Sequence, residues 1–302
     1  DIDRIVRQFG DAAWRCKEGG LDGCEVHVHG HLVGQFWNPL VNRRTDEFGG
    51  SLENRARFGL MVLEEIRRAG ERLIVQRVFL ADGDALVLPT RRLLNILQAI
   101  REHMPEVDRV SSYCLPRNLR KKSVAELKEL ADAGLKMAYV GCESGDDEVL
   151  ARVNKGETFE SSLSALDKLG QAGITRSVMI LNGLGGQVLS DQHADNSARL
   201  MNEAQPEYLS TLVVSFPMGE ARFREQFTDY QPLTQLQLFG EVERLLQALE
   251  LQQTVFRSDH ASNYLVVKGN LGRDKARLLA QVREAIERPQ QANLRQEWQR
   301  GL

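Results

Sequence analysis

The sequence predicts an α/β protein built on a parallel (β/α) barrel-type sheet. Three observations carry that reading. Short apolar strands alternate with helical segments along most of the chain. Helical segments show apolar residues at three- and four-residue spacing. A length of 302 residues is enough for one large domain, or two ordinary ones, with a substantial core.

Taken in order, residues 2–18 have helical spacing at Ile5, Val6, Phe9, Ala12, Ala13 and Cys16, and Gly19-Gly20 ends the run. A short strand is expected near 23–28. A loop-like stretch follows, and Ser51-Leu-Glu-Asn54 opens a helix reaching about residue 69. Further strands are expected near 76–81, 108–113, 136–141, 175–181 and 208–214, making six before Pro217, with a seventh near 253–257. Helices are expected near 90–103, 123–133, 158–172, 190–203, 234–250 and 271–287. Strict alternation ends near Pro217-Met-Gly219.

Composition is that of a soluble globular protein, with 42% hydrophobic and 27% charged residues. A net charge of −3 gives no basic field for nucleic acid or an anionic membrane. No apolar run approaches the roughly 18 residues of a membrane span. Cys16, Cys24, Cys114 and Cys142 are spaced widely and irregularly, as expected of reduced thiols in a cytoplasmic protein. The expected partner is a small-molecule ligand. The chain opens on Asp1, as a processed or trimmed chain or a fragment would.

A parallel barrel carries its chemistry at the carboxyl ends of its strands. That singles out His27–His31, Asp82–Ala85, Cys114–Arg117, Cys142–Gly145, Asn182–Gly186 and Ser215–Gly219. In an extended strand His27, His29 and His31 would point the same way. Zinc takes three histidines in catalytic sites. No acidic partner is identifiable beside these three, so no metal ligand is assigned. Gly83-Asp84-Ala85 reads equally well as a tight turn whose aspartate caps the next helix. Arg117, Arg120 and Lys122 form a small basic cluster, read as a solvated loop or as a contact for phosphate or an acidic substrate.

Two family resemblances meet in the chain. Over residues 1–65 the run Gln35-Phe-x-x-Pro39-x-x-Asn42-x-Arg44-x-Asp46-x-x-Gly49-Gly-Ser-x-Glu53-Asn-Arg55-x-Arg57-Phe58 resembles the old yellow enzyme family of FMN-dependent ene-reductases. The resemblance implies that this segment is one helix-strand-helix unit of an eight-stranded barrel. It also implies catalytic roles for three histidines. His27 and His29 match the pair that holds the substrate's electron-withdrawing group, and His31 stands where the family has a proton-donating tyrosine. One residue is missing between His27 and His29 relative to the family pattern, and the FMN-binding strands have no counterpart in the chain.

From about residue 70 to 302 the sequence resembles the radical SAM family, through YVGCESGDDEVLARVNKGET, SVMILNGLGG and FRSDHASNYLVVKG. This implies a partial, TIM-like barrel of six βα units, with residues 66–218 completing the same domain as 1–65 and residues 219–302 forming a mostly helical extension. It implies an S-adenosylmethionine (SAM) pocket at Gly83, Asp84, Ala85, Glu143 and Asn182. Its [4Fe-4S] cluster needs Cys-x-x-x-Cys-x-x-Cys, and no trio of cysteines here has that spacing. The chain thus reads as a splice of two families. One expectation is a radical-SAM-like protein of unknown substrate that does not cleave SAM. The alternatives are an FMN-dependent NAD(P)H oxidoreductase fragment and a catalytically inert chimeric barrel.

Overall fold

A computed structural model describes residues 1–28, 30–69, 75–81, 83–216 and 219–300. The chain divides into two compact units, Asp1–Gln76 and Arg77–Leu302.

The first unit is helical. Its helices are α1 (Ile2–Glu18), α2 (Leu32–Trp37) and α3 (Leu52–Ala69). The apolar stripe of α1, with Ile2, Ile5, Val6 and Phe9, packs on Val33, Phe58, Val62 and Ile66. Phe36 stacks on Phe58 with ring centroids 4.4 Å apart. The strand expected at 23–28 does not form. Alternating side chains do not suffice for a strand, because backbone N–H and C=O groups also need a ladder partner. The loop before α3 is instead fixed by side chains. Asn42 donates to the carbonyls of Phe36 at 2.8 Å and Phe48 at 2.7 Å. Arg55 reaches Trp37 O at 3.0 Å and Arg57 reaches Glu47 O at 2.9 Å. A Cβ on Gly49 would lie 2.0 Å from Arg44 O, so only glycine fits there.

The second unit is a seven-stranded sheet, counted among the described residues, whose spatial order equals its sequence order. The strands are β1 (Arg77–Leu80), β2 (Arg109–Cys114), β3 (Leu135–Glu143), β4 (Thr175–Asn182), β5 (Tyr208–Val213), β6 (Val255–Ser258) and β7 (Val267–Asn270). Strands β1 to β6 pair in parallel, and β7 runs antiparallel to β6. No pairing among the described residues joins β7 to β1, so the sheet is open. Five strands, not six, precede Pro217, and residues beyond 219 add two more strands to the same sheet.

The crossovers are helical, as right-handed βαβ units require. Helix α4 (Thr90–His103) follows β1, and α5 (Val124–Asp132) follows β2. After β3 come α6 (Asp147–Arg152) and α7 (Phe159–Gln171). Helix α8 (Gly186–Ala204) follows β4, α9 (Ala221–Arg224) and α10 (Gln235–Ala248) follow β5, and α11 (Leu271–Glu287) follows β7. Reciprocal side-chain caps start α5 at Ser123/Glu126 and α10 at Thr234/Gln237. One row of strand residues, including Val110, Val140, Val178, Ile180, Leu209 and Phe256, is buried against these helices. No described helix is long and apolar enough to cross a membrane.

Candidate functional site

The carboxyl ends of β3 and β4 gather a cluster of buried polar groups, among them Ser144, Asp146, His193, Ser197 and Glu241. Glu143 ends β3 with φ 67°, a left-handed conformation rare for a non-glycine residue. Its carboxylate pairs with Lys155 Nζ at 3.0 Å, and both side chains are largely buried. The next three residues are fastened to one face of α8. Ser144 Oγ and His193 Nδ1 lie 2.7 Å apart, Gly145 N–H donates to Ser197 Oγ at 2.9 Å, and Asp146 accepts from Gln192 and Asn196. His193, Asn196 and Ser197 are three and four residues apart, which puts them on one helical face. Burial pushes the Asp146 carboxyl up, but the Val149 N–H and the two side-chain amides outweigh it and hold the group below its usual range.

The other strand-end contacts extend this array. Gly183 N–H donates to Glu241 Oε1 at 2.6 Å, and Tyr230 Oη donates to Gly183 O at 3.0 Å. Glu157, between α6 and α7, has a fully buried side chain that meets the loop after β2. It accepts Arg117 N–H at 2.9 Å and Ser161 Oγ at 2.8 Å, with Arg117 Nε and Arg120 Nη2 each 3.3 Å away. The basic loop at 117–122 is therefore anchored on a buried carboxylate.

The residues nominated for SAM lie at the ends of three strands, Gly83–Ala85 after β1, Glu143 at the end of β3 and Asn182 at the end of β4. Gly83 turns the chain after β1 with φ 88°, and Asp84 precedes the short 3-10 helix Ala85–Val87 without capping it through its side chain. Asp82 lies outside the described residues. Asn182 continues the Val178/Ile180 row and is 3% exposed. It lines a small cavity with Leu238, Phe239, Val242 and Asn263, on the helix-facing side of the sheet. The sequence had no means of finding Lys155, Glu157, His193 and Glu241, because their partners lie 12 to 58 residues away. A second groove, of about 380 Å³, lies at the amino end of β4 around Thr175, Arg176 and Glu207. The Arg176 donors there are all engaged by protein acceptors, so no charge is left over for a ligand.

In the first unit, His27 and His31 are both exposed and their ring centroids are 5.1 Å apart. His31 precedes α2 and makes no side-chain cap. His29 lies outside the described residues. The two described imidazoles are brought together by a chain reversal at Gly30, not by the expected strand alternation. Two hydrogen-bond donors this close can share one oxygen acceptor of a bound molecule.

The cysteines argue against an iron-sulfur cluster. Cys114 and Cys142 are buried, while Cys16 and Cys24 belong to the other unit. Burial, with the Cys142, Asp84 and Glu157 charges behind it, pushes the Cys114 thiol up; burial and Glu143 push that of Cys142 up to about 12. Among the described residues, no three His, Cys, Asp or Glu side chains are grouped as metal ligands. The residues present do not fit a [4Fe-4S] cluster, and no step runs through one. At pH 8 the Cys142 thiolate population is lowered about 10³-fold relative to an ordinary thiol. A disulfide-exchange reagent should therefore modify exposed Cys24 first and Cys16 more slowly. Cys114 and Cys142 should react only after denaturation. Four equivalents released from the native protein would contradict this burial.

Residues 1–86 match the NADH:flavin oxidoreductase / NADH oxidase family. That match runs past the 1–65 segment and takes in β1 and Gly83–Ala85. The chain is 55% identical over 85 residues to the multifunctional alkene reductase/demethylase OYE of Caballeronia cordobensis, covering 28% of this chain and 13% of that protein. It is 37% identical over 124 residues to the NADPH dehydrogenase of Clostridium acetobutylicum, covering 39% and 36%. The chain thus spans only about a third or less of the length of these relatives. Among solved structures, the archaeal Methanocaldococcus infernus Elp3 with N-terminal deletion (1–46) aligns with a TM-score of 0.53 at 12% identity, over 78% of this chain and 59% of that one. At that identity the likeness concerns the fold alone.

Proposed function

We propose that the chain serves FMN-dependent oxidoreduction of the ene-reductase kind, through its first unit. The observation that carries the reading is the exposed His27/His31 pair, set inside a segment that matches a flavin oxidoreductase family. Their role is to donate hydrogen bonds to the electron-withdrawing oxygen of an activated alkene, with His29 as the third member of the set. FMN, when bound, supplies the hydride chemistry. The described residues fit the substrate side of such a reaction better than the flavin itself. The dense polar motif is occupied in holding the loop to α3, and Asn42, Arg55 and Arg57 spend their donors on backbone carbonyls. No reaction step is therefore routed through the flavin.

The test is to incubate the full chain with FMN, remove the excess, and record absorbance near about 450 nm. Retained flavin, with NADPH-dependent reduction of 2-cyclohexenone, is the expected result. His27→Ala combined with His31→Ala should raise the KM for the enone about tenfold while the retained flavin is unchanged. A colourless protein that ignores FMN overturns the proposal.

A second reading concerns the second unit: a radical-SAM-type barrel that binds a SAM-like ligand without cleaving it. The strained Glu143 with its Lys155 partner favours it, because such strain collects at ligand sites. Calorimetric titration with SAM checks it. Saturable binding that is lost in Glu143→Gln supports the reading, and the absence of heat removes it.

A further inference from the structure

The Val110/Val140/Val178 row of the sheet faces the main helical core. The opposite face of β1–β3 carries Arg77 and Phe79, Arg109 and Tyr113, and Tyr139, at alternate positions of three adjacent parallel strands. Phe79 is 40% exposed and Tyr113 46%, although both are large aromatic residues in the middle of a sheet. Their rings form one cluster with Tyr139. Phe79 lies 4.7 Å from Tyr113 and 5.4 Å from Tyr139, and the two tyrosines are 6.2 Å apart. All three contacts are edge-on or tilted, so ring faces remain available for a further ring to stack on.

One step toward the amino ends of the same strands, Arg77 and Arg109 stand directly opposite each other in register. Like charges facing across a ladder are unfavourable. Neither arginine forms an ion pair with a described residue, and the buried Nε of Arg109 has no hydrogen-bond partner. Other arginines of this unit that lie on the folded core are paired, as with Arg176 on Glu207, Arg152 on Asp229 and Arg244 on Asp195. Two uncompensated guanidiniums beside an aromatic platform call for a ligand that is flat at one end and anionic at the other. Arg77 stands two strand residues, roughly 7 Å, from Phe79, and Arg109 stands four residues, roughly 13 Å, from Tyr113, with Ser111 between them.

We propose that this open face of β1–β3 is a binding site for a planar aromatic acid. The ring stacks on Phe79, Tyr113 and Tyr139, and the anionic group is held by Arg77 and Arg109. The site is independent of the flavin reading, since every residue in it belongs to the second unit.

The test uses equilibrium dialysis of the full chain against 2-naphthoate, with 2-naphthylmethanol as the uncharged comparison. The expected result is saturable one-to-one binding of naphthoate at about 1 mM or below, and about tenfold weaker binding of the alcohol. Tyr113→Ala should weaken both probes. Arg77→Gln and Arg109→Gln should each weaken naphthoate about tenfold and leave the alcohol unchanged. Arg77 is exposed, so its substitution reports even if the Arg109 variant unfolds, and a thermal melt separates the two cases. Non-saturable uptake, or naphthoate binding equal in the wild type and the Arg77 and Tyr113 variants, overturns the proposal. So does a concentration-dependent dimer that Tyr113→Ala abolishes, because the rings would then be occupied by a second copy of the chain.

Discussion

Replacing Arg176 with alanine should cost about 2–3 kcal/mol of stability, since its carboxylate partner is half exposed to solvent, read as a fall in the urea midpoint at unchanged slope. Arg176 begins its work at the amino end of β4, where it is almost wholly buried. Its guanidinium donates to Ala204 O and Gln205 O, each at 2.9 Å, which are carbonyls at the carboxyl end of α8 that no helical N–H can reach. It also clasps Glu207 through Nε at 3.1 Å and Nη2 at 2.7 Å, while the Arg176 backbone N–H reaches the same carboxylate at 2.7 Å. Truncation leaves the buried Ala204 carbonyl unpaired and takes the partner from the half-exposed Glu207 carboxylate. Arg176→Lys should recover only part of the loss, since a single ammonium cannot reproduce the fork. The pH dependence has a fixed sign. Burial pushes the Glu207 carboxyl up, but Arg176 outweighs it and holds the group below the ordinary 4.5. A carboxyl held low in the folded state stabilises the fold above its unfolded pKa. That contribution is lost as pH falls through the folded value. The stability gap between wild type and Glu207→Gln should therefore close in acid; a gap that widened there would reverse the assignment.

Gly145→Ala should destabilise the protein by about 3 kcal/mol, at the upper end of overpacking effects. A Cβ at this position would sit 2.3 Å from Asn196 O and 2.8 Å from Ser197 Cα, both backbone atoms of α8 that cannot swing aside. The strand-end loop would have to lift off the helix. With it would go the Gly145–Ser197 hydrogen bond and the setting of Glu143 two residues earlier. Ser197→Ala separates the two effects. It removes only the hydroxyl acceptor and should cost about 1 kcal/mol. Equal losses in the two variants, measured by denaturant titration, would show that the close approach matters less than the hydrogen bond.

The sequence announced those features whose cause is local. Apolar residues at helical spacing in 2–18 mark α1 because the core face and the helix period coincide there. Strands β2 to β5 were legible as short apolar runs between turn residues. The run 23–28 misled, since its alternation suits a strand but no described strand pairs with it. Val267–Asn270 was missed for the opposite reason. Gly269 and Asn270 look like turn residues, and only pairing with β6 makes them a strand. The site followed the same division. Gly83 and Glu143, both with left-handed backbone, lie in local motifs at or after strand ends. The partners that bury Glu157 and Glu241 come from distant segments, and a linear reading holds no trace of them. Asn182 was correctly placed at a strand end but on the wrong face, because its side chain continues the helix-facing row.

Because strand order follows chain order from β1 to β7, every ladder hydrogen bond of the sheet lies between residues 77 and 270. The reversed β7 closes one border against further parallel strands. The border at β1 is left by the strand nearest the join between the two units. A crossover in the gene ahead of Arg77 therefore severs no strand pairing, whatever sequence it brings in. Such an architecture lets recombination exchange the leading segment while the rest of the fold is inherited intact.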